Sequence, residues 1–286
     1  MRASRLSTLL EPVYQAIAVL AALAFLVCYQ NGAFVQDEWM HLLQLALYGG
    51  VLFAALRYFT GQDKAPESLI VTVLLIFLLV DPNPNPWALT AQTLAMLAVV
   101  TVAVASKFFL EIDGEPIVNP AALGVLFGAF LGVLLPGITI VGDAARLSFD
   151  TLFSVGGISI SWVALLLAVW IFWGLPKWER TAVISAFFIA SAAFAFVLGG
   201  GAAVEEFFTA GPWLYLFAGF FITDPKTSPD DHLWQWGYGA VLALLVFLPQ
   251  VIPAIAIPFL EDNLFLVALA IANIGLLITQ AWALRR

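Results

Sequence analysis

Leu79-Val80-Asp81-Pro82-Asn83-Pro84-Asn85-Pro86 and Ile222-Thr223-Asp224-Pro225-Lys226-Thr227-Ser228-Pro229 close two apolar runs in one pattern, Asp-Pro-x-x-x-Pro. A proline cannot continue the helical ladder and holds the residue before it out of the helical region, so each motif alone reads as a helix end. As a pair they say more. Both runs are short, about 68 to 81 and about 210 to 223, and they are the third and the eighth of ten. Short or proline-broken spans at matching places in two halves are what inverted repeats place at a membrane-midplane site.

The other eight runs cover about 13 to 30, 40 to 59, 87 to 107, 119 to 135, 159 to 175, 180 to 199, 234 to 251 and 263 to 283. Crossing a bilayer takes about 20 apolar residues, and uninterrupted runs of this kind are helical rather than barrel strands. The first run, behind Arg2 and Arg5, is longer than a signal-peptide core and lacks a small-residue cleavage site, so it counts as a helix. Lys and Arg in short loops give an independent check on sidedness. With the N-terminus in the cytoplasm, Arg2, Arg5, Arg57, Lys64, Lys107, Lys177, Arg180, Lys226, Arg285 and Arg286 all fall inside, and only Arg146 falls outside. Losing one span would scramble that bias. The sequence therefore predicts an all-α integral membrane protein with ten transmembrane helices in two inverted five-helix repeats. Repeat one covers about 13–135, repeat two about 159–283, and an outer loop at about 136–158 joins them. Both termini are expected in the cytoplasm, and the membrane is expected to be the inner one.

Composition agrees. Of 286 residues 63% are hydrophobic and 10% charged, and the mean hydropathy is +1.00, against the roughly 25% charged of soluble domains. Single Cys28 excludes a disulfide framework and a thiolate cluster within the chain, and His41 and His232 stand too far apart for an expected haem or zinc site. The formal charge of −8 is split over short loops, so no nucleic-acid partner is expected. No Ser-His-Asp set, P-loop or dinucleotide fingerprint is present.

Chemistry-bearing candidates collect in two places. Asn119 followed by Pro120 reads as an N-cap with proline at the first helical position, which leaves free N–H groups and a positive dipole end. That end either only caps a helix or holds an anion or a carbonyl oxygen. Gly124, Gly128 and Gly132 make a small-residue face for helix packing or for a flat ring. Lys107 ends span four, where it can snorkel to the interface. Asn273, Gln92 and Thr93 lie inside spans and are expected to hydrogen-bond between helices. The acidic pairs Asp37 and Glu38, Glu205 and Glu206, and Glu261 and Asp262 are expected in solvated outer loops.

Ser106-Lys107 leading to Asn119-Pro120-Ala121-Ala122, together with Gly219-Phe220-Phe221-Ile222-Thr223-Asp224-Pro225-Lys226-Thr227-Ser228-Pro229, resembles the NqrB/RnfD family over about residues 13 to 283. That family supplies membrane subunits of the sodium-translocating NADH:quinone oxidoreductase and of the Rnf complex. The resemblance implies a urea-transporter-like architecture, a flavin (FMN or riboflavin), electron transfer, and partners among other membrane or membrane-associated redox subunits. In the family a threonine within Ser-Gly-Ala-Thr, in the outer loop after span five, carries FMN through a phosphoester, and riboflavin binds without a covalent bond. The corresponding loop here, from Ile140 to Thr151, has no Ser-Gly-Ala-Thr, and nothing around Thr151 recommends it. Without the long N-terminal extension of the NqrB branch, the chain is expected to be a minimal member. Divergent members also accompany enediyne biosynthesis genes.

The resemblance thus points to a flavin held non-covalently between the halves, near Lys107, Asn119, Pro120, Gly124, Thr223, Asp224, Pro225, Lys226, Thr227 and Ser228. Lys107 and Lys226 are expected to stabilise a reduced flavin or its phosphate. The alternatives are a small-solute transporter or channel of the same architecture, and a cofactor-free scaffold subunit.

Overall fold

The computed structural model describes residues 11–29, 34–80, 88, 90–112, 114–135, 153–155, 158–160, 162–174, 180–209, 212–252, 259 and 263–283. The Asp81 to Pro86 motif, the loop through Thr151, Lys177, Glu261, Asp262 and the terminal arginines lie outside the described residues.

Helices dominate: α1 (Pro12–Cys28), α2 (Gln36–Thr60), α3 (Pro66–Leu79), α4 (Ala91–Phe109), α5 (Pro120–Leu134), α6 (Trp162–Trp173), α7 (Thr181–Thr209), α8 (Pro212–Leu216), α9 (His232–Val251) and α10 (Leu264–Ala283). A π-helical turn, Phe217–Phe221, follows α8 directly. The described strands are short: β1 (Glu111–Ile112), β2 (Glu115–Pro116), and β3 (Phe153–Val155) antiparallel to β4 (Ile158–Ile160).

Local chemistry sets the helix ends. Proline opens α1 and α3, where its missing N–H costs nothing. Thr90 caps α4 by accepting from the Thr93 amide at 3.1 Å, and Asp231 caps α9 by accepting from Leu233 and Trp234. Gly61, at φ 68°, ends α2 in the left-handed conformation that glycine adopts without strain. Helix α7 extends beyond the expected 180–199 to Thr209, across a break at Gly200 (φ 70°, ψ −159°). Glu205 and Glu206 therefore sit exposed on a helical segment rather than in a loop.

Four of these helices, α2, α4, α7 and α9, are long and apolar enough to cross a membrane. Only 28% of the most apolar window of α2 and 39% of that of α7 is buried within the protein. Much of each remaining surface is still apolar, with Val51, Tyr58 and Phe59 of α2 and Val197 of α7 all largely exposed. Water would penalise such a surface at roughly 25 cal/mol per Å²; hydrocarbon does not.

By packing, the chain forms two compact units, residues 1–111 with 120–166, and residues 112–119 with 167–286. In the first, α1 packs on α3, α2 on α3 and α4, and α4 on α5. Helices α2 and α4 run in the same direction, because Tyr48 meets Thr101 midway along both (2.8 Å) and Gln62 Nε2 donates to the Phe108 carbonyl near both ends (3.4 Å). In the second, α9 packs on α7 and α10, and Trp170 of α6 packs on the π turn.

Glycine permits the closest approaches. A Cβ at Gly124 would stand 2.7 Å from the Val99 carbonyl oxygen, and one at Gly239 would stand 2.3 Å from the Val183 carbonyl oxygen. Both neighbours are backbone and cannot swing away. Gly124→Ala and Gly239→Ala are therefore expected to destabilise by about 1–3 kcal/mol, as overpacking does. Gly50→Ala and Gly237→Ala, whose sites are open, should hold or raise the detergent-solubilised melting temperature.

Candidate functional site

Within the second unit, the segment after α8 brings together what the sequence kept apart. The π turn is marked by the Ile222 amide donating to the Phe217 carbonyl, five residues back, at 3.1 Å. Such turns disturb the regular ladder and recur at functional sites. The Gly219 carbonyl takes two side-chain donors, Trp170 Nε1 at 3.1 Å and Thr223 Oγ1 at 2.8 Å. The Trp170 ring also stacks on Phe220, with centroids 5.4 Å apart and planes 8° apart. A side chain at position 219 would push against that indole, since a Cβ there would lie 3.2 Å from Trp170 Cδ1.

Beyond the turn, Asp224 organises the chain. Its Oδ1 accepts from the Lys226 amide at 3.1 Å, and its Oδ2 accepts from Asn119 Nδ2 at 3.0 Å. Its carbonyl accepts from the amides of Thr227 (3.1 Å) and Ser228 (3.0 Å) and from Ser228 Oγ at 2.8 Å. Pro225 suits this turn because the position needs no N–H donor. Asn119 and Asp224 are 105 positions apart in sequence.

Arg180 clamps the segment from α7's leading end. Buried itself, it donates Nε to Ser228 Oγ at 2.9 Å and Nη2 to the Pro225 carbonyl at 3.3 Å, and it pairs with the exposed carboxylate of Asp230. On α9, Tyr238 lies within electrostatic reach of Asp224 and donates its hydroxyl to Asn273 Oδ1 of α10. That bond meets the expectation that Asn273 ties two helices together. Two buried polar atoms here, Thr227 Oγ1 and Asn273 Nδ2, have no hydrogen-bond partner among the described residues. A buried polar group left so is uncommon and costs about 1–3 kcal/mol, which marks a place able to bind a complementary group.

The sequence candidates divide between the units. Asn119, Thr223, Asp224, Pro225, Lys226, Thr227 and Ser228 belong to the second, with Thr223, Thr227 and Ser228 buried and Lys226 exposed. Lys107, Pro120 and Gly124 belong to the first. Lys107, in the last turn of α4, is buried among protein groups, and its Nζ donates to the Ser68 carbonyl at 2.9 Å and to Ser68 Oγ. Gly124 faces the α4 backbone at Val99. Arg180, Trp170 and Tyr238 were not singled out as site residues from sequence. Arg180 registered only as one loop charge among ten, and nothing in sequence marks an indole or phenol as a contact to a distant turn.

Fold and site together define a mostly helical integral membrane protein with a polar cluster built on an irregular helix end. Compared with known proteins, the chain matches no family model, and no curated protein matches it.

If Arg180 holds the 223–230 segment, its loss should loosen that segment locally. Hydrogen bonds to a charged group contribute about 1.5–3 kcal/mol each. Arg180→Ala is thus expected to speed trypsin cleavage after the exposed Lys226 at least about tenfold, read by mass spectrometry of the fragments.

Proposed function

We propose that the chain is a membrane electron-transfer subunit that binds a flavin non-covalently beside Asn119 and the Thr223 to Pro229 segment. The observation that carries this reading is the meeting of Asn119 with Asp224, the two stretches on which the NqrB/RnfD resemblance rests. Two buried donors support this reading. Thr227 Oγ1 and Asn273 Nδ2 are buried and lack partners among the described residues, and a ring edge rich in carbonyl and imine groups offers acceptors for both. Aromatic side chains crowd the same unit, with Trp213, Phe217, Phe221 and Phe265 in mutual ring contact.

When bound, a flavin supplies one- and two-electron chemistry at a potential set by its surroundings. The protein's part is binding and tuning. Thr227 and Asn273 hold the ring edge, Arg180 and Asn119 fix the turn that presents them, and the Asp224 carboxylate is a negative charge that opposes reduction of a nearby acceptor. Exposed Lys226 is placed to meet a phosphate from the aqueous side. Ten spans in two inverted halves belong to this reading, and pairings shared by the two halves support them: first with third, second with fourth, fourth with fifth. The lysine and arginine bias supports both termini in the cytoplasm and an inner-membrane location.

A second reading, a small-solute transporter or channel, is favoured by the 14 residues of α3 and the short α8 with its π turn, neither long enough to cross ~30 Å of hydrocarbon alone.

Protein purified in mild detergent is expected to show the visible bands of a flavin that move wholly to the supernatant on acid precipitation, and Asn273→Ala with Thr227→Val should lose them. Flavin in neither fraction rejects the assignment, and solute flux into liposomes by flavin-free protein then favours the second reading. The architecture has its own check. In a Cys28→Ala background, single cysteines at Asn83 and Lys226 should react with an impermeant maleimide from opposite faces of sealed vesicles, and labelling from one face rejects the inverted halves.

A further inference from the structure

The first unit holds a second set of buried polar groups that the flavin reading does not use. Glu38 and Gln44 of α2 are buried and His41 is fully so. The outer-loop expectation for Glu38 does not hold, since it lies in the first turn of a helix with its side chain inward, while Asp37 beside it is exposed. At 100° per residue, positions 38, 41, 44 and 48 fall within about a third of the helix circumference. The stripe therefore faces the packed interior. The His41 ring is positioned by Phe77 of α3, with centroids 5.8 Å apart.

The stripe continues onto α4. Tyr48 is hydrogen-bonded to Thr101 Oγ1 at 2.8 Å, and Thr101 also donates to the Leu97 carbonyl. Because α2 and α4 run in the same direction, Lys107 lies two turns further the same way, bonded to Ser68, with buried Thr72 donating to the Ser68 carbonyl at 3.0 Å. At 1.5 Å per residue, Glu38 to Tyr48 covers about 15 Å and Thr101 to Lys107 about 9 Å, together most of a ~30 Å hydrocarbon layer.

We propose that this line of groups in the first unit, from Glu38 through His41 and Tyr48 to Lys107, is a path for protons across the membrane. Ionisable groups at membrane depth are rare and mark ion or proton routes. The groups here favour the proton over a metal cation. Among the described residues no three His, Cys, Asp or Glu side chains converge to hold a metal. A carboxylate, an imidazole, a phenol and hydroxyls each accept a proton on one side and release one on the other, with water bridging the roughly 10 Å from His41 to Tyr48 and the roughly 9 Å from Thr101 to Lys107. Lys107 ends the path with an ammonium that can give up its own proton but repels a metal ion in a medium of low dielectric. The titratable groups on the elements packed against α2 are Tyr14 and Cys28 on α1, Glu67 on α3, which accepts from Tyr14 at 3.1 Å, and Lys107 on α4. The path needs no oxidant and does not depend on flavin binding.

Its test is proton flux in liposomes that carry the purified protein and a lumenal pH dye, under a potassium diffusion potential set with valinomycin. Lumenal acidification is expected well above that of protein-free liposomes, falling at least tenfold in Glu38→Gln and His41→Gln. Tyr48→Phe, which removes one hydroxyl and keeps the ring, should reduce it severalfold with an unchanged melting temperature, so a folding defect cannot explain the loss. Glu205→Gln, on the exposed end of α7, should leave it unchanged. Flux equal to that of empty liposomes, or equal in Glu38→Gln, Tyr48→Phe and wild type, overturns the proposal. Labelled-sodium uptake that requires Glu38 overturns its choice of the proton.

Discussion

Hydrocarbon offers no hydrogen bonds, so each backbone N–H and C=O at membrane depth must find its partner inside the protein. Among the described residues, two departures from a regular helix are accompanied by side chains that answer that demand. Where the π turn frees the Gly219 carbonyl, Trp170 and Thr223 donate to it. Where the chain turns at Pro225, the Asp224 carboxylate gathers the Lys226 amide and the Asn119 side chain, and Arg180 takes the Pro225 carbonyl. The first unit follows the same rule on a smaller scale, with Lys107 and Thr72 both serving the Ser68 carbonyl at the start of α3.

Among the described residues, each unit has a concentration of buried polar groups. In the second it is a compact cluster around Asp224. In the first it is a line spread along α2 and α4. The difference follows from geometry: an interrupted helix presents several backbone groups at one level, whereas an intact helix can carry polar side chains only one turn at a time. A charged group at the centre of a spanning helix costs about 2.5–3.5 kcal/mol on insertion scales. Glu38, Lys107 and Arg180 stand instead at helix ends, in the first turn of α2, the last turn of α4 and just before α7, and all three are buried there.

Small residues set how closely the helices can carry these groups. Gly124 and Gly239 bring one helix backbone onto the next without a side chain between them. In a membrane, where lipid tails are as apolar as leucine, such contact replaces the hydrophobic drive that holds a soluble core together. The exposed valines, leucines and aromatics on the outer surfaces carry no comparable constraint.

From sequence alone the mostly helical membrane class, helices at all ten places and the helix ends at Asn119 and at Thr223 to Ser228 were legible, because apolar run length, proline and capping residues act locally. Glu38 was misplaced into solvent, because a charge near a run's end looks the same whether it points out or in. The three glycines read as a terminus and Gly200 does break the helix, while the second helical piece beyond it, to Thr209, was not expected. Arg180 and Trp170 gave no signal, since a clamp on a turn about 50 positions away leaves no local trace. The sequence by itself determined where helices form and what they are made of, since hydropathy and helix-end chemistry are properties of neighbours along the chain. Only the tertiary structure decided which polar groups meet, since Asn119 with Asp224, Tyr48 with Thr101 and Arg180 with Ser228 are contacts between distant segments, set by packing.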